Sequence, residues 1–142
     1  MSENAPFMMQ ATAVSIEGKA LILEGPPGSG KSSLALALID RGAELIGDDG
    51  VTLERKESQV VASPPPNIAG LIEMRGIGLI SIPVTASIPV SLILTLGEAG
   101  ERLPAGSVTR DVMGLAIPVL SFVPGAIAPA IRAEMALIHH GI

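Results

Sequence analysis

The distribution of apolar residues along the chain predicts a pair of short strands followed by a helix. Residues 11–17 and 20–24 are mainly apolar and flank a Glu-Gly-Lys turn, which is the pattern of a β-hairpin. Residues 33–41 then carry leucine and alanine at helical spacing, and Gly42 stands where a helix commonly ends. A short strand over residues 43–47 follows, so this part of the chain is predicted to be an α/β unit.

The pattern further along the chain adds strands and a second helix. Residues 51–55 and 59–62 form a second predicted hairpin, and the apolar runs over residues 90–96 and 115–122 predict additional strands. A C-terminal helix is predicted over residues 128–139, with a proline in its first turn. We therefore expect an α/β fold with a mixed central sheet, a helix after the glycine-rich loop and a C-terminal helix.

Length and composition indicate one domain with an aliphatic core. The chain has 142 residues and is 48% hydrophobic, but Phe7 and Phe122 are its only aromatic residues. We expect a single domain over residues 1–142, in which residues 1–9 form a loose arm. The net charge of −5 and the nine Lys and Arg residues argue against a nucleic-acid-binding surface. The absence of cysteine excludes disulfides and thiolate chemistry.

No secretory signal is visible at the N-terminus, which lacks a basic start and a long apolar segment, so we expect a cytoplasmic protein. Residues 76–97 and 112–131 are uncharged over almost the length of a membrane span. Each stretch is interrupted by prolines, so buried strands joined by turns are the preferred interpretation, and no membrane contact is expected.

The segment between the first hairpin and the helix satisfies the pattern G-x-x-x-x-G-K-[ST] in a strand-to-helix context. Its glycines allow backbone N–H groups to point at a polyphosphate, towards which the following helix also directs its positive end. Lys31 would reach the β/γ oxygens, and the Ser32 hydroxyl would ligate Mg²⁺. The alternative is a Gly/Pro-rich turn with an incidental lysine. The predicted ATP-binding residues are Gly25, Pro26, Pro27, Gly28, Ser29, Gly30, Lys31 and Ser32.

Two adjacent carboxylates, Asp48 and Asp49, follow directly on the strand after the helix. In open α/β sheets a ligand lies beyond the carboxyl ends of the strands, so this pair could face the phosphates. One carboxylate could then position Mg²⁺ while the other takes the proton of an attacking hydroxyl. The alternative is a turn, in which Asp49-Gly50 merely links two strands.

A second pair of charged residues borders an apolar run. Asn67 can cap a short helix, and Glu73 and Arg75 then precede an apolar strand that is entered through Gly76 and Gly78. Taken alone, Glu73 and Arg75 would be interpreted as an ion pair at a strand edge.

Together these motifs resemble the catalytic domain of the HPr kinase/phosphorylase family, in the compact form found in some proteobacteria. The resemblance rests on the phosphate loop, Asp48-Asp49 and above all Glu73-Met-Arg75-Gly76-Ile-Gly78, which occur in the family's order and at nearly its separations. The match spans about residues 10–132. It implies a P-loop-containing, kinase-like fold.

The resemblance further implies an ATP- and Mg²⁺-dependent enzyme that phosphorylates a serine of HPr, the phosphocarrier of the sugar phosphotransferase system, in the regulation of carbohydrate metabolism. Many members also remove that phosphate with inorganic phosphate. By resemblance, Lys31 contacts the nucleotide phosphates and Ser32 and Glu73 bind Mg²⁺. One of Asp48 and Asp49 transfers the proton, with Asp49 the preferred base. Arg102 is the candidate for charge stabilisation.

One residue departs from the family pattern. Gln10 stands where the family has an active-site histidine, and glutamine cannot exchange protons near neutral pH. This departure keeps open a catalytically degenerate, nucleotide-binding regulatory module as the alternative function. A small-metabolite kinase is disfavoured because no arginine-rich lid is visible. The apolar composition allows a homo-oligomer without specifying one.

Overall fold

The computed structural model describes residues 5–66, 70–97 and 108–142. The strands in this part of the chain are β1 (Phe7–Met9), β2 (Thr12–Ile16), β3 (Lys19–Glu24), β4 (Glu44–Gly47), β5 (Val51–Lys56), β6 (Gln59–Ser63), β7 (Leu71–Met74), β8 (Gly78–Ser81), β9 (Ile88–Leu96), β10 (Val108–Val112) and β11 (Leu115–Phe122). The helices are α1 (Lys31–Asp40) and α2 (Pro129–His140).

A mixed sheet in the order β1-β5-β6-β9-β3-β2-β4 forms the centre of the protein. Strand β9 runs parallel to β3 on one side. On its other side it pairs with β6 near its beginning and with β11, in parallel, along its last residues. The parallel strands β3, β9 and β11 therefore end at the same edge, which is the edge where ligands bind in α/β sheets.

The two faces of the sheet bury separate apolar clusters because side chains alternate along each strand. In β3, Leu21 and Leu23 face the cluster that contains residues of α1 and α2, whereas Ala20 and Ile22 face the opposite cluster. Phe122 lies in the helix-side cluster among Leu, Ala and Val side chains. The prediction of an aliphatic core is therefore confirmed for these clusters.

Helix α1 begins and ends close to its predicted limits. Its C-cap is Arg41, after which the Gly42 N–H donates to Ile39 O and the Ala43 N–H donates to Leu38 O, each at 3.0 Å. This pair of hydrogen bonds is a Schellman motif, and Gly42 supplies the positive φ of 108° that it requires. Leu34 and Leu38 are buried, as their spacing predicts.

Several predicted elements need correction. Phe7–Met9 is not a loose arm, because it pairs antiparallel with Val51–Leu53 at the edge of the sheet. Asn67 lies outside the described residues, and Leu71–Met74, where a short helix could have continued, is a strand. The strand β10 was not predicted.

The uncharged stretch over residues 76–97 contains one exposed and one buried strand rather than two buried ones. A tight turn at residues 75–77 folds β8 back onto β7, so the two form a small separate sheet in which Ile72 is buried and Leu79 is exposed. Strand β9 supplies the buried part of the stretch. In the described ranges, no helix has both the length and the apolar character needed to cross a membrane.

Candidate active site

The phosphate loop connects the end of β3 to the beginning of α1. At its start the backbone of Gly25 approaches β9 so closely that a Cβ atom would lie 2.8 Å from the carbonyl oxygen of Leu96. Only glycine fits this position, where φ is 153°. The Ser29 N–H donates to Pro26 O at 3.1 Å and closes the turn. Gly30, in the left-handed conformation, then caps α1.

Lys31 is the first residue of α1 and folds back over the loop. Its Nζ donates to the carbonyl oxygens of Gly25 at 2.7 Å and Pro26 at 3.2 Å. These neutral acceptors hold the ammonium group beside the N-terminus of α1, where an anion is favoured. Phosphate oxygens would offer the same donors a stronger, charge-assisted hydrogen bond.

Asp48 lies beside the phosphate loop and accepts hydrogen bonds from two hydroxyls. Ser32 Oγ donates to its Oδ1 at 2.7 Å, and Thr12 Oγ1 donates to the same oxygen at 3.0 Å. The predicted juxtaposition of the aspartate pair with the phosphate loop is thus observed for Asp48. Thr12 was not recognised from the sequence, where it is one of two hydroxyl residues, with Ser15, in an apolar run.

Asp49 adopts a φ of 60°, in the left-handed region that Asp and Asn tolerate better than most residues. The turn gives the two aspartates different surroundings. Asp48 is half-buried and bonded to Ser32, whereas Asp49 is exposed and lines a cleft above the loop. Adjacent carboxylates in different surroundings can carry different roles.

The cleft has a volume of about 440 Å³ and brings residues from several motifs together. Glu73 on β7 and Arg75 in the following turn face it, although they lie far along the chain from the loop. Of the ion pairs between described residues, none joins Glu73 to Arg75, so the interpretation as a strand-edge pair loses its support. The residues that line the cleft are Gln10, Gly25, Pro27, Gly28, Gly30, Lys31, Ser32, Ser33, Leu36, Asp49, Glu73 and Arg75.

Five other predicted site residues are not among those that line the cleft: Pro26, Ser29, Asp48, Gly76 and Gly78. Gly76 lies in the turn between β7 and β8 and has a φ of 82°, and Gly78 is the first residue of β8. Arg102 lies outside the described residues. Ser33 and Leu36 line the cleft without having been singled out, because only the helical register directs them towards it.

An ion pair joins the end of β3, the strand that precedes the phosphate loop, to β10. The Glu24 carboxylate accepts from Arg110 Nη1 at 2.8 Å and Nη2 at 2.7 Å, and from Thr95 Oγ1 at 2.7 Å. The hydrogen bonds from Arg110 lower the pKa of Glu24 below its ordinary value of 4.5; burial opposes this shift, and Thr95 adds to it. The pair therefore connects β10 to the residue immediately before Gly25.

We predict that this pair makes stability depend on pH in the acid range. Because the pKa of Glu24 is lower in the folded state, its contribution is present above 4.5 and is lost as pH falls through the folded-state pKa. Glu24→Gln should reduce the free energy of unfolding near neutral pH, and this deficit should shrink on acidification. Urea titrations at several pH values measure it. Glu54→Gln, at an exposed pair with Lys56, is the control; a deficit of Glu24→Gln that stays constant with pH would contradict the assignment.

Comparison with known proteins gives the family of the chain. The family model described as HPr serine kinase C-terminal domain matches residues 4–122, which is most of the sequence. The chain belongs to this family. This membership confirms the predicted resemblance to the HPr kinase/phosphorylase family. The match to a solved structure of the same family confirms the predicted P-loop-containing, kinase-like fold.

Curated relatives and a solved structure agree with this assignment. The HPr kinase/phosphorylase of Bordetella pertussis is 37% identical over 113 residues, covering 70% of this chain and 37% of the relative. That of Acidovorax sp. is 35% identical over 134 residues, covering 84% and 42%. The structure of the HPr(Ser) kinase/phosphatase from Coxiella burnetii matches with a TM-score of 0.77 and 28% identity, covering 92% of this chain and 88% of that one. The chain spans about two fifths of the length of these curated relatives.

Proposed function

We propose that this chain is an ATP- and Mg²⁺-dependent serine kinase of the HPr kinase/phosphorylase type, with HPr as its protein substrate. The observation that carries the proposal is that one cleft is lined by Lys31, Ser32, Asp49, Glu73 and Arg75. A site without chemistry has no physical need for so many convergent charges. The relatives are HPr kinase/phosphorylases, and this name indicates the class of substrate.

In the proposed reaction, the phosphate loop binds and orients the nucleotide. Backbone N–H groups at the start of α1 face the β- and γ-phosphates, and Lys31 exchanges its carbonyl acceptors for their oxygens. The positive charge then remains beside the oxygens on which negative charge develops during transfer. Arg75 faces the same cleft, and Arg102 is proposed as a further stabilising charge.

The donor set fits Mg²⁺. Ser32 donates its hydroxyl proton to Asp48, which leaves the oxygen's lone pairs available, and Glu73 lines the cleft with a second type of hard oxygen ligand. Within the described ranges, no three His, Asp or Glu side chains form a metal cage, and Mg²⁺ typically completes its coordination with water and phosphate oxygens instead. When bound, Mg²⁺ neutralises phosphate charge.

Asp49 is the proposed general base. It faces the cleft, whereas the Asp48 carboxylate is already engaged with Ser32 and Thr12. Asp49 accepts the hydroxyl proton of the substrate serine while the serine oxygen forms a bond to the γ-phosphorus. The bond from that phosphorus to the β,γ-bridging oxygen breaks, and ADP leaves.

Glu73→Gln is expected to raise the Mg²⁺ concentration needed for half-maximal rate, because a neutral amide is a poorer ligand for a hard cation. The shift should be about tenfold, the scale on which metal sites lose affinity when a supporting group is changed. Initial rates across a Mg²⁺ titration measure it, with Glu57→Gln at an exposed turn as the control. An unchanged Mg²⁺ requirement would remove Glu73 from the metal site.

Gln10→His is expected to raise the rate of the reverse reaction, phosphorolysis of phosphorylated HPr, more than the forward rate. Gln10 lines the cleft, where histidine with a pKa of about 6.5 could carry a proton and glutamine offers only fixed hydrogen bonds. The unmodified protein should therefore favour phosphorylation. Both rates are compared in the two proteins; equal changes, or vigorous phosphorolysis without the substitution, would show that Gln10 does not determine direction.

The test of the proposed function is transfer of phosphate from ATP to a serine of HPr, followed by mass spectrometry. Binding of ATP without transfer would instead support the alternative, a nucleotide-binding regulatory module.

A further inference from the structure

Thr12 occupies a buried position between the two aspartates of the candidate active site. It is the first residue of β2, and its exposure is 0%. Its hydroxyl donates to Asp48 Oδ1 at 3.0 Å and accepts from the Asp49 N–H at 3.4 Å. A single side chain thus contacts the carboxylate of one aspartate and the backbone of the other.

The position of β2 in the sheet fixes the backbone from which Thr12 makes these contacts. β2 lies between β3, which leads into the phosphate loop, and β4, which leads into the aspartate pair. Its pairing with both strands places Ala13 opposite Gly47 and Thr12 opposite Leu23. Thr12 is therefore held between the two segments whose relative position determines the geometry of the site.

The hydroxyl also has the right chemistry for this position. A hydroxyl has one proton and two lone pairs, so it can donate to Asp48 and accept from Asp49 at the same time. An ionised carboxylate only accepts, and Asp48 Oδ1 receives both the Ser32 and the Thr12 protons. Without the Thr12 hydroxyl, the Asp48 carboxylate would keep only the hydrogen bond from Ser32, and the Asp49 N–H would lose its acceptor.

We propose that Thr12 is a positioning residue that acts through Asp48 on Ser32 and through the backbone on Asp49. The first contact holds the acceptor of the Ser32 proton and so orients the hydroxyl towards Mg²⁺. The second holds Asp49 in its left-handed conformation, with the carboxylate facing the cleft. The inference rests on the proposed function only for the effect on phosphate transfer. Its effect on metal-dependent nucleotide binding does not require that HPr is the substrate.

The test compares Thr12→Val, which is nearly isosteric but lacks the hydroxyl, with Thr12→Ser, which retains it. Ser15→Ala is the matched control, since it removes another buried hydroxyl from the same strand. Thr12→Ala serves as a second hydroxyl-free variant should valine not be accommodated. Calorimetry with a non-hydrolysable ATP analogue, with and without Mg²⁺, measures binding for each protein, and thermal unfolding reports on folding.

We expect Thr12→Val to bind the metal-free analogue with unchanged affinity and to lose about tenfold of the affinity gained with Mg²⁺. Its kcat for HPr phosphorylation should fall by about 10²-fold, the cost of misplacing a reacting group, with little change in KM. Thr12→Ser and Ser15→Ala should resemble the wild type. Equal Mg²⁺ gains in Thr12→Val and wild type, or equal losses in Thr12→Ser and Thr12→Val, would overturn the proposal. If the wild type binds with Mg²⁺ but does not phosphorylate HPr, the proposed function fails while the binding data still decide the role of Thr12.

Discussion

Lys31→Ala is expected to lower the rate of phosphate transfer to HPr by about 10³-fold, which is the scale of losing a charge that stabilises the transition state. Nζ now bonds to carbonyl oxygens of the loop, within reach of the space that the β- and γ-phosphates would occupy. Its contact with the γ-phosphate strengthens as negative charge develops, so kcat should fall more than the affinity for ATP. Steady-state kinetics with HPr, together with an ATP-binding titration, measure both quantities.

The fold should survive this substitution, because the Lys31 side chain is only partly buried and alanine favours the helix that it begins. Lys19→Ala, at the exposed opposite end of β3, is the matched control and should be active. A Lys31→Ala rate within a few-fold of the wild type would exclude the phosphate loop from the mechanism.

Asp49→Asn is the second substitution with a large expected effect, a decrease in kcat of about 10²- to 10⁴-fold for loss of a general base. Asparagine also tolerates the left-handed conformation at this position, so the turn should be retained while the proton acceptor is removed. Rapid-mixing measurement of a single turnover isolates the chemical step from product release.

Asp40→Asn, at the exposed end of α1, controls for the change of charge and should be nearly neutral. Asp48→Asn provides the contrast. It should mainly increase the Mg²⁺ requirement, because an amide is a poorer acceptor for the Ser32 proton. If Asp48→Asn abolished the single turnover while Asp49→Asn left it unchanged, the two roles would have to be exchanged.

The elements that were predicted best from the sequence are those that depend on interactions between residues close together in the chain. The helix after the phosphate loop follows from apolar spacing and the glycine that ends it, and the first two hairpins follow from short apolar runs and the turn residues between them. These features depend on residues a few positions apart. The pairing of β1 with β5 and the central position of β9 depend on which strands meet in space, and the pattern within each strand does not specify its neighbours.

The candidate site shows the same division between local and long-range information. The phosphate loop and Asp48-Asp49 are recognisable because each chemical pattern is contiguous. Thr12 and Asp48 are 36 residues apart, and Glu24 and Arg110 are 86 apart, so their contacts depend on the assembled sheet. Strand β8 was predicted to be buried because apolar composition alone does not show that the turn at residues 75–77 folds it outwards, where Leu79 is exposed.

Transfer of the γ-phosphate of ATP to HPr is the reaction that we propose for the cleft. The most direct measurement incubates the protein with HPr, Mg²⁺ and ATP labelled in the γ-phosphate, and then locates the label in HPr by mass spectrometry. We predict Mg²⁺-dependent labelling of a single serine by the wild type, no labelling of HPr in which that serine is alanine, and severe loss of labelling with Asp49→Asn. Unlabelled HPr in the presence of a wild-type protein that binds Mg²⁺ and ATP would contradict it.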